Sequence, residues 1–128
     1  MSRAFLDANV LFSAAYREKS RLMRLWNRPG AELVTSAYAV EEARRNLTSP
    51  DQRARLESLL SQMRIVAESD APMPASVQLP DKDHPVLKAA IAAEAAHLIT
   101  GDFKDFGRYF GTRIAGVLVV TPADFIRG

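Results

Sequence analysis

The chemistry in this chain is carried by carboxylates that recur where the chain turns out of a core. Asp7 interrupts the apolar run Ala4-Phe5-Leu6-Asp7-Ala8-Asn9-Val10-Leu11-Phe12. A lone charge in the middle of a buried strand is costly unless something pairs with it. Asp7 is therefore expected at the C-terminal end of a strand, pointing into a crevice, which is where open parallel α/β sheets bind ligands. Three further acidic groups follow: Glu41-Glu42, Asp81-Lys82-Asp83 and Asp102. Converging carboxylates repel one another unless a cation neutralises them, so the pattern points to a metal site of oxygen ligands. With no cysteine and only two histidines, His84 and His97, thiolate and histidine-rich zinc sites are excluded. A hard cation, Mg²⁺ or Mn²⁺, fits the donor inventory.

Each carboxylate also has a plainer use. Asp7 could close a turn with its own backbone, and Glu41 and Glu42 could be solvated residues on an amphipathic helix. Asp83, shortly before Pro85, and Asp102, after Gly101, are well placed as helix N-caps, a role compatible with ligation. What favours a shared site is the placement of Asp7 and Asp102, each closing a strand. In a parallel sheet all such ends lie along one edge, and the loop over residues 69–80 must bring Asp83 there.

The elements that position these residues follow from hydrophobic periodicity and breakers. Strands are expected at residues 3–6, 32–35, 64–67, 97–100 and 117–120. Helices are expected at 20–27, 36–47 with Ser36 as N-cap, 50–63 with Pro50 in the first turn, 86–96, 104–109 and 123–126. The segment 69–80, with Pro72, Pro74 and Pro80, reads as a loop. This alternation predicts an α/β fold: a three-layer α/β/α domain with a mainly parallel sheet of about five strands, the first of them central. A length of 128 residues, 48% hydrophobic and 25% charged, suits a single domain over residues 1–128.

Net charge is only +2, but basic residues concentrate in two segments, Arg17, Lys19, Arg21, Arg24 and Arg28, and Arg44, Arg45, Arg53 and Arg55. They read as solvated helix faces or as a basic rim suited to a polyanion held at an acidic centre. Apolar stretches are broken by charge before the ~20 residues a spanning helix needs. The N-terminal run carries Asp7 and lacks a cleavage pattern of small residues, so a cytoplasmic protein without a membrane association is expected.

In order along the chain, Leu6-Asp7-Ala8-Asn9-Val10-Leu11, Val40-Glu41-Glu42-Ala43, Asp81-Lys82-Asp83-His84-Pro85-Val86, Leu98-Ile99-Thr100-Gly101-Asp102 and Thr121-Pro122-Ala123-Asp124-Phe125 resemble the successive motifs of PIN-domain ribonucleases. The resemblance implies metal-binding and catalytic roles for Asp7, Glu42, Asp83 and Asp102. Glu42 is preferred to Glu41 because the family glutamate usually precedes an apolar residue, here Ala43. Asp81 is a lesser companion of Asp83. Relatives often carry an acidic residue two positions after the fourth aspartate, where this chain has Lys104, with Asp105 one later. Asn9 and Thr100 are candidates for orienting the carboxylates, although Asn9 is equally a turn residue. The resemblance further implies Mg²⁺- or Mn²⁺-dependent endoribonuclease chemistry that leaves a 5′-phosphate and a 3′-hydroxyl on single-stranded or looped RNA. Small members of the family often act as toxins with an antitoxin protein as partner, and a homodimer is a further partner state.

Two other functions use similar residues. Aspartyl-phosphate phosphatases also place an aspartate after a first strand, but they want a carboxylate two residues on, where this chain has Asn9. A catalytically silent RNA-binding or protein-interaction module on the same fold would not need all four acidic positions. Metal-dependent cleavage of RNA separates both from a nuclease.

Overall fold

The opening apolar run becomes the middle of a sheet. The computed structural model describes residues 2–128. Its strands are β1 (Ser2–Leu6), β2 (Ala31–Ser36), β3 (Arg64–Val66), β4 (His97–Ile99), β5 (Arg113–Ile114) and β6 (Val117–Val120), in the order β3-β2-β1-β4-β6-β5. Every pairing is parallel except that of β5 with β6. The expected five strands are present, with β1 central. The sixth, β5, is a two-residue strand turned back on β6 through Ala115 and Gly116, both at positive φ. Its two residues are too few to leave a periodic signal.

Consecutive residues Ala4, Phe5 and Leu6 of β1 are buried, as are Leu98 and Ile99 of β4. Burial of successive residues requires cover on both faces, as parallel sheets have. The helices supplying it are α1 (Ala8–Tyr16), α2 (Ala37–Asn46), α3 (Pro50–Leu60), α4 (His84–Ala92), α5 (Phe103–Phe106) and α6 (Pro122–Arg127). The connections β1 to β2 and β2 to β3 step across the sheet in one direction, and β3 to β4 steps back over both. Right-handed crossovers therefore place α4 on the face opposite α1, α2 and α3, where α2 and α3 both pack on α1.

Two local expectations need correction. Helix α1 was not anticipated. Its buried positions Ala8, Leu11 and Ala15, with Val10 and Ala14, are at helical spacing, but the run is equally apolar to a strand that simply continues. Residues 21–27 form a 3-10 helix rather than an α-helix, entered through Ser20, whose hydroxyl accepts from the Leu22 amide. The remaining elements differ from expectation at their ends, where fraying and capping decide the boundary.

Two features of this topology position the carboxylates. Chain order reverses between β1 and β4, so the loops leaving their C-terminal ends diverge and open a crevice there. Residues 67–80, without regular secondary structure, carry the chain from edge strand β3 towards the middle of the sheet, so that α4 begins near the ends of β1 and β4. Among the described residues no helix is long and apolar enough to cross a membrane.

Ser36, fully buried at the end of β2, starts α2 by accepting from the Ala39 amide. Ser36→Ala removes that cap from the helix that carries Glu42 and should lower stability by about 1 kcal/mol, read as a shift in the urea midpoint.

Candidate metal centre

The site is built around Asp7, which is 4% exposed at the end of β1. One carboxylate oxygen accepts from the Ala8 amide at 2.7 Å. The other accepts from the Thr100 hydroxyl at 2.9 Å and from Asn9 Nδ2 at 3.1 Å. Thr100, fully buried just beyond β4, is itself saturated, because its oxygen accepts from Asn9 Nδ2 at 3.2 Å and from the Asp102 amide at 3.1 Å. Asn9 completes the network by accepting from the Gly101 amide at 2.7 Å. Asn9 is thus more than a turn residue: it ties the start of α1 to the loop after β4. A Cβ on Gly101 would stand 3.3 Å from Asn9 Oδ1, so the approach is tight even for a small side chain. Burial pushes the Asp7 carboxyl up from its ordinary value, the bonds from Thr100 and Ala8 oppose this, and the charges of Glu42 and Asp102 add to it.

Glu42 lies on α2 and lines a cleft of about 450 Å³ together with Asp7, Asn9, Asn46, Lys82 and Asp83. Its neighbour Glu41 turns outward to Arg44 at 3.5 Å. Asp83 occupies the N-cap position of α4 but makes no capping hydrogen bond, so its carboxylate is free to face the cleft. Asp102 does cap its helix, accepting from the Asp105 amide at 2.9 Å. That short helical turn brings Asp105 alongside, and one oxygen from each of Asp83, Asp102 and Asp105 lies within 4.8 Å of the others. Asp81 stands fully exposed, 4.0 Å from His84, and takes no part in the cluster.

The structure therefore brings Asp7, Glu42 and Asp83 to one cleft, with Asp83 shared with an adjoining cluster that holds Asp102 and adds Asp105. Spacing alone placed Asp105 one position late. The cap explains it, because residues three apart at a helix start face the same way as the capping side chain.

A cation already sits among these groups. Lys82 Nζ is 2.8 Å from Asp105, 3.3 Å from Asp83 and 3.7 Å from Asp102. Tyr38, on α2, donates its hydroxyl to the Lys82 carbonyl at 2.9 Å and so holds this turn against the helix. The hydrogen bond from Lys82 holds Asp105 below the usual carboxylate range, and the same bond with the nearby carboxylates holds the ammonium charged. Asp83, more enclosed, is pushed up to about 7 by burial and by the adjoining Asp105 carboxyl. Hard oxygen donors gathered around an ammonium are a donor set that fits Mg²⁺ or Mn²⁺.

The sequence matches a family model described as PIN domain over residues 3–104. Among solved structures the chain resembles VapBC2 from Rickettsia felis bound to a DNA fragment from their promoter. The likeness has a TM-score of 0.61 at 16% identity, and covers 93% of this chain and 98% of that one. At that identity the likeness speaks to fold. No curated protein matches in sequence.

Two outcomes follow from the geometry. Thr100→Val keeps the shape but leaves Asp7, Asn9 Nδ2 and the Asp102 amide each short of a partner, and should cost about 1–3 kcal/mol in urea unfolding. The second concerns pH. Asp83 has a raised folded pKa, so its contribution is fully present below the unfolded value of 3.8 and is lost as pH rises through about 7. Burial, with the charges of Arg113 and Arg28, lowers the His97 pKa, which acts in the opposite direction below its ordinary pKa, so the comparison is made between variants. In metal-free buffer, Asp83→Asn should gain stability relative to the unmutated protein between pH 5 and pH 8. A difference that stays flat over that range would mean that burial does not disfavour the Asp83 charge.

Proposed function

Because the chain belongs to the PIN domain family, we propose that it is a Mg²⁺- or Mn²⁺-dependent endoribonuclease, with Asp7, Glu42, Asp83 and Asp102 as its metal-binding and catalytic carboxylates. The observation that carries this reading is the convergence of those four groups, joined by Asp105, at the point where the strand order reverses. A bound divalent ion supplies an activated water and neutralises charge on the scissile phosphate and the leaving oxygen.

The chain's own residues do the positioning. Asp83, Asp102 and Asp105 present closely spaced oxygens from two separate segments. Asp7 and Glu42 line the wall of the cleft from β1 and α2. Asn9 and Thr100 fix the Asp7 carboxylate in one orientation, so that no reorganisation is needed when charge develops. The Lys82 ammonium balances the acidic cluster and lines the cleft, within reach of a phosphate bound there.

The same premise supports a cytoplasmic toxin as the biological role, with an antitoxin protein as partner. The chain is of single-domain size, and its fold is like that of VapBC2, a protein described in complex with promoter DNA.

The test is incubation of a mixed RNA pool with the protein in Mn²⁺ or in EDTA, followed by mapping of product ends. Cleavage in Mn²⁺ alone, leaving 5′-phosphates, is expected. Asp7→Asn removes a ligand charge and should lower the rate on the order of 10²-fold or more. The variant should still fold by circular dichroism without metal, because relief of the repulsion from Glu42 and Asp102 offsets part of the cost of losing one accepting oxygen. Full activity in Asp7→Asn would remove Asp7 from the catalytic carboxylates, and no cleavage by the unmutated protein with any divalent ion would favour a silent interaction module.

A further inference from the structure

The acidic cleft has a basic neighbour. Phe12 of α1 lines both the cleft that holds Asp7, Glu42 and Asp83 and a second one of about 390 Å³, whose other walls include Tyr16, Arg17, Lys19 and Arg21. We propose that this second cleft is a binding subsite for the nucleotides flanking the scissile bond on a single-stranded RNA, with Tyr16 as a base-stacking platform and Arg17, Lys19 and Arg21 as phosphate contacts. The inference rests on the nuclease reading and names where its substrate runs.

Three observations carry it. First, Tyr16 is a large aromatic left 49% exposed, its ring 5.3 Å from that of Phe12. Its position is nonetheless fixed: its carbonyl accepts from Gln52 and Arg55, and the Ala15 carbonyl also accepts from Arg55. An exposed ring on a pinned backbone presents a π-face at little entropic cost, and every base can stack on such a face. Second, Arg17, Lys19 and Arg21 make no side-chain hydrogen bond or ion pair among the described residues. Six of the other arginines are committed, Arg3, Arg44, Arg64 and Arg127 to carboxylates and Arg53 and Arg55 to carbonyls, while Arg24 and Arg45, which also have no such partner among the described residues, lie outside the cleft. Glu18, the acidic residue of the segment, does not line the cleft. Third, Asn9, Phe12 and Tyr16 lie along one helix, so the distance from the carboxylate centre to the platform is rigid, about 10 Å at 1.5 Å per residue over seven residues. Aromatic faces interleaved with uncommitted cations beside a hydrolytic centre match the chemistry of a single-stranded polyanion with stacking bases.

The experiment measures fluorescence anisotropy of a labelled single-stranded 12-nucleotide RNA of mixed sequence on the full chain in EDTA, where nothing is cleaved. Tyr16→Ala should weaken binding about ten-fold, the scale of a lost base stack, while Tyr16→Phe should keep near-unmutated affinity. Replacing Arg17, Lys19 and Arg21 together by alanine should flatten the dependence of log affinity on log salt by about 2, for three phosphate contacts on a single strand. Circular dichroism checks that the variants fold, which is expected for exposed side chains. In Mn²⁺, the variants should cleave the 12-nucleotide RNA with a raised KM, and a dinucleotide with an unchanged one. Unchanged RNA affinity in both variants overturns the subsite even if the protein cleaves RNA. Weakened affinity with no cleavage under any metal leaves the subsite standing and removes the nuclease reading. Should the variants lose an acidic peptide instead of RNA, the cleft is a protein-docking surface and the proposal fails.

Discussion

Everything in this molecule accommodates one carboxylate that has been taken out of water. Asp7 stands at the end of the central strand, almost without solvent, in a position that would be strongly unfavourable for an isolated charge. Its burial is tolerated because donors from two directions converge on it: an amide of α1 on one oxygen, a hydroxyl and a side-chain amide on the other. The hydroxyl belongs to Thr100, directly after β4, and the amide to Asn9, which also reaches Gly101. The bonds that stabilise the charge therefore also tie together the two loops on either side of the crevice. Removing any member leaves buried polar groups unmatched, which costs more than the bond itself contributes.

The second half of the centre is managed differently. Asp83, Asp102 and Asp105 are more open to solvent as a group and gather around a tethered ammonium. Lys82 comes from the residue next to Asp83, so cation and anion arrive on the same turn, fixed from behind by Tyr38. Helix capping then divides the acidic residues by task. Asp102 uses an oxygen to start α5, and the turn so formed presents Asp105. Asp83 sits in the capping position without capping, which leaves its carboxylate to the Lys82 ammonium and the cleft.

Much of this could be read in the sequence, and for definable reasons. The strands carry apolar runs bounded by breakers, so their alternation with helices and the parallel sheet followed. The solitary charge in an apolar run located Asp7, and the choice of Glu42 corresponds to the side of α2 that faces the cleft, with Glu41 turned to Arg44. Three features were hidden. Helix α1 begins directly after β1 with equally apolar residues, so no change in composition marks the junction. Strand β5 exists through its turn and its partner rather than its own two residues. Asp105 joins the cluster through a cap whose geometry depends on tertiary placement, and the linear spacing pointed to Lys104. The role of Lys82 was invisible for a similar reason: a lysine between two aspartates looks like local charge balance until Asp102 and Asp105 are folded against it.

The sheet's two margins are three-residue β3 and two-residue β5. A peptide laid alongside either one would find only a few free backbone groups, each worth about 1 kcal/mol at best, which is too little to hold an added strand. The margins are thus closed to strand addition, the route by which flat sheets recruit one another into fibres and by which many domains capture extended peptides. That leaves side chains on the helices and loops as the larger surface for recognition, where specificity can be tuned residue by residue without disturbing the ladder beneath.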